Sequence, residues 1–199
     1  MSIFYLCAVG AYNRQMMVQI DSEIIERCKC GDTIAFRTLV ETYQQMIYSL
    51  SVKMLADEEE AKDIVQETFI KAWQSIDAYD GRYSFSTWLY TIASRLCIDR
   101  IRKLRFSEPL SRDIAVFEGY ASDTNPERQL ESSEWVSVVK VLAGKLSNKQ
   151  RLVFTLSQLE GLETEEIMRI TGMDATQIKS NLSLARKSVR DQLVKLGYE

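Results

Sequence analysis

A chain of 199 residues, 46% hydrophobic and 27% charged, is long enough for one large domain or two small ones with buried cores. Two prolines, eight glycines and no run of alternating strand pattern favour helices. The net charge of −3 argues mildly against a nucleic-acid binder, and four cysteines with no histidine argue against a small disulfide-rich secreted domain and a metal site.

The N-terminal residues 1–20 are expected to form a flexible extension. The apolar run from Ile3 to Val9 is too short to cross a membrane and lacks the preceding basic segment of a signal peptide. Met16 and Met17 stand just before the first helical pattern, which also fits a mis-started terminus. We therefore expect a cytoplasmic protein without membrane insertion, whose cysteines are reduced and structural.

Three helices are predicted before the first loop. Ser22 is expected to cap a short amphipathic helix, and one long helix should follow Asp32. Asp57 and Glu60 have the spacing of a capping box, with acids filling the first turn of the next helix. Apolar residues recur at helical spacing along the two longer helices, at Phe36, Leu39, Val40, Tyr43, Ile47, Leu50, Met54, Ile64, Val65, Phe69, Trp73 and Ile76.

A polar loop over residues 77–84 separates these helices from a fourth. The stripe of that helix consists of Phe85, Trp88, Leu89, Ile92, Leu96 and Ile101. The periodicity fails between about Phe106 and Glu131, where both prolines lie, so residues 106–132 are predicted to be a flexible linker. Helical spacing returns at Trp135, with stripes at Val138, Val139, Leu142, Leu146, Val153, Phe154, Leu156, Leu159, Ile167, Ile170, Ile178, Leu182, Ala185, Val189 and Leu193.

The C-terminal block contains a helix-turn-helix pattern. Thr164 is expected to cap a short helix that Gly172 closes, and Asp174 with Gln177 should form a capping box for the next. Such a tight bihelical turn is typical of DNA readers, although a helical hairpin with a solvated basic face is the alternative. The second helix should expose residues that can meet phosphates and base edges, namely Lys179, Ser180, Asn181, Ser183, Arg186, Lys187 and Arg190.

Arginines and aromatic residues lie close together around the loop 77–84. The basic segment of the fourth helix contains Arg95, Arg100, Arg102, Lys103 and Arg105. Aromatic rings beside cations suit unstacked single-stranded bases. Phe85 and Trp88 fit the apolar stripe and are expected mainly in the core. None of the apolar stripes includes Tyr79, Arg82 or Tyr83, so these three are better candidates for contact with unstacked bases.

No pattern in the chain indicates an enzyme, a cofactor or a small-molecule substrate. Without histidine there is no Ser-His-Asp or Cys-His arrangement, and no phosphate-binding loop is present. The acids between Asp57 and Glu67 are interpreted as a helix cap and a solvated or partner-binding face. No metal ligands are expected.

Residues 32–103, a linker and residues 146–193 resemble the extracytoplasmic-function sigma factors. The most specific stretches are AKDIVQETFIKAWQSI at 61–76, FSTWLYTIASRLCIDRIRK at 85–103, LSNKQRLVFTLSQLEGLETEEI at 146–167 and IKSNLSLARKSVRDQL at 178–193. The resemblance implies an all-α protein of two small helical domains joined by a flexible linker. Sigma domain 2 would span 21–105 and sigma domain 4, with the helix-turn-helix, 133–199.

The resemblance also assigns roles to residues of this chain. In the family the D-x-x-Q-E helix docks on the polymerase β′ subunit, which here maps to Asp63, Gln66 and Glu67, with Phe69 and Trp73 packing behind them. The residues that would bind the −10 element are Tyr79, Arg82, Tyr83, Trp88, Arg95, Asp99 and Arg102. The residues that would bind the −35 element are Lys179, Ser180, Asn181, Ser183, Arg186 and Lys187.

The implied partners are core RNA polymerase, through its β′ and β subunits, promoter DNA and an anti-sigma factor. The chain would not be an enzyme, because polymerase supplies the catalytic chemistry. Two alternatives stay open at this point. A stand-alone helix-turn-helix regulator would bind duplex DNA by itself, and a polymerase-binding interaction protein would not support initiation.

Overall fold

The computed structural model describes residues 22–107 and 145–195, and all regular structure within these ranges is helical, which confirms the all-α prediction. The helices are α1 (Ser22–Lys29), α2 (Thr33–Leu55), α3 (Glu58–Gln74), α4 (Phe85–Ser107), α5 (Asn148–Phe154), α6 (Thr164–Thr171) and α7 (Ala175–Lys195). A 3-10 turn (Ile76–Ala78) follows α3, and a π-helical turn (Thr155–Leu159) follows α5.

Several predictions lie outside the described residues. They concern the extension at 1–20, most of the linker at 106–132, and the stripe residues Trp135, Val138, Val139 and Leu142. Helix α4 runs through Ser107, past the predicted start of the linker at residue 106. The domain boundaries themselves stay predictions.

Side-chain caps decide where the helices of the first domain begin. Asp32 caps α2, and Asp57 accepts hydrogen bonds from the backbone N–H groups of Glu59 and Glu60, both at 3.0 Å, to cap α3. The cap at Asp57 is therefore confirmed, and the long helix begins directly after Asp32 as predicted. Only this arm of the predicted capping box forms, because the Glu60 carboxylate pairs with Arg100 instead.

Two predicted caps are wrong by one residue. Ser22 is the first residue of α1 rather than the residue before it. Thr164 is likewise the first residue of α6, and Glu163 is its N-cap. The reason at α6 is a capping box in which the Glu166 carboxylate accepts a hydrogen bond from the backbone N–H of Glu163 at 3.1 Å.

Helices α2, α3 and α4 pack against one another around the predicted apolar stripes. Leu39, Ile47 and Leu50 of α2 are completely buried, as are Ile64 of α3 and Leu89 of α4. The stripes therefore mark the core correctly, although some of their members are only partly buried, namely Phe36, Val40, Val65, Trp73, Trp88 and Ile92.

The second group of helices begins with α5 and its buried continuation. Val153, Phe154, Leu156 and Leu159 are buried as predicted, but the α-helix changes to a π-helical turn at Thr155. There the backbone N–H of residue 160 reaches back five positions to the Thr155 carbonyl at 2.9 Å.

The two groups of helices share one core. Leu152, Leu156 and Ile167 belong to the same buried cluster as the residues of α2 and α4, and α6 packs directly on α4. The Arg151 guanidinium donates to the Met54 carbonyl across this boundary at 2.9 Å. In the described part of the chain, no helix has the length and apolarity that crossing a membrane requires.

Three of the four cysteines lie in the described residues, as free thiols. Cys28 and Cys97 are buried and Cys30 is exposed, while Cys7 lies outside the described ranges. Burial raises the pKa of the Cys97 thiol to about 12, so this side chain is a protonated core residue at neutral pH.

Two isoleucines of α2 test whether the buried apolar stripe of this helix stabilises the fold. We expect Ile47→Ala, at a completely buried position, to lower the free energy of unfolding by about 2–5 kcal/mol, since it leaves a cavity. Ile34→Ala in the same helix is the matched control, because Ile34 is 71% exposed and its loss should change stability by less than about 0.5 kcal/mol. Urea denaturation measures both, and equal effects would contradict this packing.

Candidate functional site

Helix α3 presents the residues predicted to dock on polymerase. The side chains of Asp63 and Gln66 are exposed and that of Glu67 is half-exposed. Residues three and four apart lie on the same side of a helix, so the three form one polar face, called here the acidic face. Their exposure leaves the face open to a partner.

Aromatic packing against α2 holds α3 in place beside the acidic face. The Phe36 ring of α2 lies 6.3 Å from the Phe69 ring and 4.8 Å from the Trp73 ring, both in edge-to-face geometry. The prediction that Phe69 and Trp73 pack behind the acidic face is confirmed.

Arg100 of α4 pairs with the acidic face instead of adding to the basic segment. Its guanidinium forms an ion pair with Glu60 and approaches Asp63 at 3.8 Å and Glu67 at 3.9 Å. In the sequence Arg100 belongs to the basic segment that was expected to act beside the aromatic rings. That grouping is wrong, since the side chain, which is 22% exposed, is turned toward α3.

Tyr79 is packed more tightly than the sequence suggested. Its ring lies 5.2 Å from Phe85 and 5.5 Å from Trp88, and its hydroxyl donates to the Tyr83 carbonyl at 2.7 Å. Partial burial raises the pKa of the Tyr79 hydroxyl. Tyr79 was expected to lie outside the apolar stripes. That expectation is wrong, because the 3-10 turn packs its ring against α4. A contact between Tyr79 and DNA stays a prediction.

The tip of the loop is turned outward. Asp80 accepts a hydrogen bond from the backbone N–H of Arg82 at 3.0 Å, and Gly81 takes the left-handed conformation at φ 72° that this turn requires. Arg82 is exposed and Tyr83 is 47% exposed. One face of the Tyr83 ring is already occupied, since the Arg169 guanidinium of α6 lies 4.6 Å from the ring centroid.

Four residues of α4 were predicted to bind the −10 element, and the helix places them on one side. Trp88, Arg95, Asp99 and Arg102 are spaced by seven, four and three residues, which places them along one stripe. Trp88 is half-buried and the other three are exposed, and Arg102 donates to Asp99 at 2.9 Å. The stripe could follow a DNA strand with cations beside an aromatic ring.

The helix-turn-helix forms as predicted from Gly172 onward. Gly172 has φ 70°, and its N–H donates to the Met168 carbonyl. Asp174 and Gln177 exchange the two hydrogen bonds of a capping box, at 2.8 Å and 3.3 Å. Helix α7 therefore begins with a rigid first turn directly after α6.

Helix α7 separates an apolar side from a polar one. Ile178, Ala185 and Val189 are buried, as predicted. Five of the six residues predicted to meet the −35 element are exposed and Asn181 is half-buried, where it donates to the Gln177 carbonyl. The exposed five are Lys179, Ser180, Ser183, Arg186 and Lys187.

The surfaces of α3, α4 and α7 are interpreted without a metal or a cofactor. Within residues 22–107 and 145–195, no group of three or more His, Cys, Asp or Glu side chains is arranged to hold a metal ion. Exposed acids and bases on helices, with aromatic rings at a loop, are groups that bind macromolecules.

The chain matches two family models in order. Residues 39–106 match Sigma-70 region 2, and residues 139–189 match Sigma-70, region 4. The ECF RNA polymerase sigma factor SigW of Bacillus subtilis strain 168 is 36% identical over 176 residues, which are 85% of this chain and 94% of that protein.

Two solved structures have the same fold. CnrH, solved with the cytosolic domain of CnrY, aligns with a TM-score of 0.66 at 21% identity, covering 88% of this chain and 97% of that one. The sigma factor RpoE, solved with the anti-sigma factor NepR from Bartonella quintana, aligns with a TM-score of 0.60 at 22% identity, covering 79% and 96%. Together with the two matched regions and the identity to SigW, this shows that the chain belongs to the extracytoplasmic-function RNA polymerase sigma factors, which recognise promoters and initiate transcription.

Proposed function

We propose that the chain binds core RNA polymerase through the acidic face of α3 and directs it to promoters with α4 and α7. The observation that supports this most is the combination, in one chain, of a helix-turn-helix and a separate exposed acidic face. A stand-alone regulator needs only the first feature. A polymerase-binding protein without promoter specificity needs only the second.

The acidic face suits polymerase docking because it is exposed and rigid. Asp63, Gln66 and Glu67 offer acceptors one turn apart, and the rings of Phe69 and Trp73 anchor the helix behind them. Docking would therefore need little rearrangement of α3. The partner proposed for this face is the β′ subunit, and the β subunit is proposed as a further partner of the chain.

The −10 element would be read by the loop tip and the exposed stripe of α4. Tyr83 and Arg82 could receive an unstacked base, while Tyr79 supports the loop through its bond to the Tyr83 carbonyl. Flipping a base costs a few kcal/mol, which stacking and hydrogen bonds can offset. Arg95 and the stripe residues Trp88, Asp99 and Arg102 would follow the melting duplex.

The −35 element would be read by the exposed side of α7. Its cations can neutralise phosphates, and its serine, asparagine and lysine side chains can reach base edges in the major groove. This assignment goes with the proposed division into sigma domain 2 at 21–105, a linker at 106–132 and sigma domain 4 at 133–199, after an extension at 1–20.

We further propose an anti-sigma factor as a regulatory partner, by analogy with the RpoE–NepR complex. The chain would not be an enzyme, since the polymerase performs the chemistry. Because its partners would be polymerase and chromosomal DNA, it would act in the cytoplasm.

Transcription in vitro tests the proposed function. Sigma-free core polymerase is mixed with the chain and fragmented DNA from its own organism, and discrete transcripts are expected only when the chain is present. Polymerase binding without transcripts would favour the interaction protein. Strong sequence-specific binding to duplex DNA by the chain alone would favour the stand-alone regulator.

The acidic face can be tested by a triple substitution. We expect Asp63→Ala, Gln66→Ala and Glu67→Ala together to weaken binding to core polymerase on the order of 10–100-fold, because the contacts at the centre of the interface are lost. Fluorescence anisotropy of a labelled chain measures the affinity. Circular dichroism should report unchanged helix content.

The control for this variant removes two acids and one glutamine elsewhere. Glu23→Ala, Glu41→Ala and Gln44→Ala change exposed residues of α1 and α2 with the same loss of charge. Affinity for polymerase should be nearly native. An equal loss in both triple variants would mean that net charge, rather than the acidic face, determines binding.

A lysine of α7 tests contact with the phosphates of the −35 element. We expect Lys187→Ala to lower the salt dependence of promoter binding by the polymerase complex by about one ion, because one fewer counterion is released. Lys149→Ala, an exposed lysine of α5, is the control and should leave the slope unchanged. The slope comes from titrations over a range of salt concentrations, and identical slopes for the two variants would refute the contact.

A further inference from the structure

One large apolar side chain lies on the outward side of α7, among the polar residues proposed to meet the −35 element. Leu184 is 53% exposed, although the next residue, Ala185, is completely buried. Ser180 lies four residues before Leu184 and Lys187 lies three residues after it, and both are exposed. Residues at these spacings share one side of a helix, so Ser180, Leu184 and Lys187 form a single stripe.

This stripe points away from the side by which α7 is anchored. Each residue of an α-helix is turned by about 100° from the one before it, so Leu184 and Ser180 lie within about 40° of each other. The buried residues Ile178, Ala185 and Val189 each lie more than a quarter of a turn away from Leu184. Leu184 therefore belongs to the surface of the helix-turn-helix and not to its core.

The charges around Leu184 suit a duplex. Residues 175–190 include four cations and no acid. The four are Lys179, Arg186, Lys187 and Arg190, and all are exposed. Cations in this number attract phosphates, which would bring the edges of the bases close to the stripe. The prominent apolar group on those edges is the C5-methyl of thymine, which projects into the major groove.

The position of Leu184 along α7 separates it from the other exposed apolar residue of this helix. A single exposed leucine is ordinary on a protein surface, so exposure alone carries little weight. Val194 is 61% exposed, but it lies beyond Asp191, an exposed acid four residues after Lys187. Phosphates would repel that carboxylate. The part of α7 that suits DNA therefore ends before Asp191, with Leu184 inside it and Val194 outside.

We propose that Leu184 selects a thymine in the −35 element by packing against its C5-methyl group. The inference rests on the proposed function, because it requires α7 to lie in the major groove. The contact removes apolar surface of both groups from water. Cytosine lacks the methyl group, and a purine presents polar groups at the same edge, so neither base can replace thymine without loss.

This kind of recognition differs from that proposed for the neighbouring polar residues. Leucine has no group that donates or accepts a hydrogen bond, so it cannot read the amino or carbonyl groups of a base. It also carries no charge and releases no counterion from the duplex. Leu184 should therefore affect which sequence is bound and leave the salt dependence of binding unchanged.

Deoxyuridine isolates the contact, because uracil is thymine without the C5-methyl group. Thymines of the −35 element are replaced one at a time in a promoter found by transcription in vitro. Mobility-shift titration then measures binding by the complex of core polymerase with the chain. With the native chain, one replacement should weaken binding about fourfold, the contribution of one methyl group removed from water. Leu184→Ala should bind the thymine and uracil forms of that promoter equally.

Two further variants are the controls. Leu184→Met keeps an apolar side chain of similar volume and should retain most of the difference between thymine and uracil. Val194→Ala should retain all of it. Leu184→Ala should also keep the native salt slope, in contrast to Lys187→Ala. Circular dichroism should report native helix content for each variant, since both residues are exposed.

Three results would overturn the role of Leu184 while promoter binding, and with it the proposed function, is still observed. The first is a native complex that responds to no thymine methyl group in the element. The second is a methyl effect that survives Leu184→Ala. The third is weaker binding of Leu184→Ala to core polymerase without DNA, which would place Leu184 in a protein interface. A complex that binds no promoter would instead refute the proposed function, and the inference falls with it.

Discussion

The burial of one carboxylate, that of Glu160, constrains how the described parts of the chain are arranged. Each group of helices has its own apolar stripes, but their relative position depends on the ion pair between Glu160 and Lys53 and on the hydroxyl groups of Ser49 and Tyr90, which must all meet. Apolar packing between the groups is less directional and would tolerate other arrangements. The buried charges do not, since a displaced partner leaves a charge without compensation.

This constraint leaves the proposed surfaces unequally accessible. The acidic face of α3 is exposed in this arrangement, whereas one face of the Tyr83 ring is covered by Arg169. Polymerase could therefore meet the acidic face without a rearrangement of the helices.

Local patterns predicted what local interactions determine. The stripe of α2, the cap at Asp57, the turn at Gly172 and the box between Asp174 and Gln177 depend on residues at most a few turns apart, and all are confirmed. Contacts between distant segments were missed. Arg100 reaches an acid 40 residues away and Glu160 a lysine 107 residues away, and no periodicity in the sequence encodes such a meeting.

The same difference between local and distant interactions applies to the predicted site residues. Exposure of most of the predicted residues of α3 and α7 follows from the helical period, although Asn181 is half-buried. Tyr79 was misjudged because a 3-10 turn, and not a helix stripe, carries its ring to Phe85. The central claim is that the chain binds polymerase through the acidic face of α3 and reads the two promoter elements with α4 and α7. Electron cryomicroscopy of the chain with core polymerase and a promoter fragment would test it most directly. The account predicts the acidic face of α3 on the β′ subunit, α4 at the −10 element and α7 at the −35 element. A promoter complex in which α3 is free of polymerase, or in which α4 or α7 lies away from its element, would contradict it.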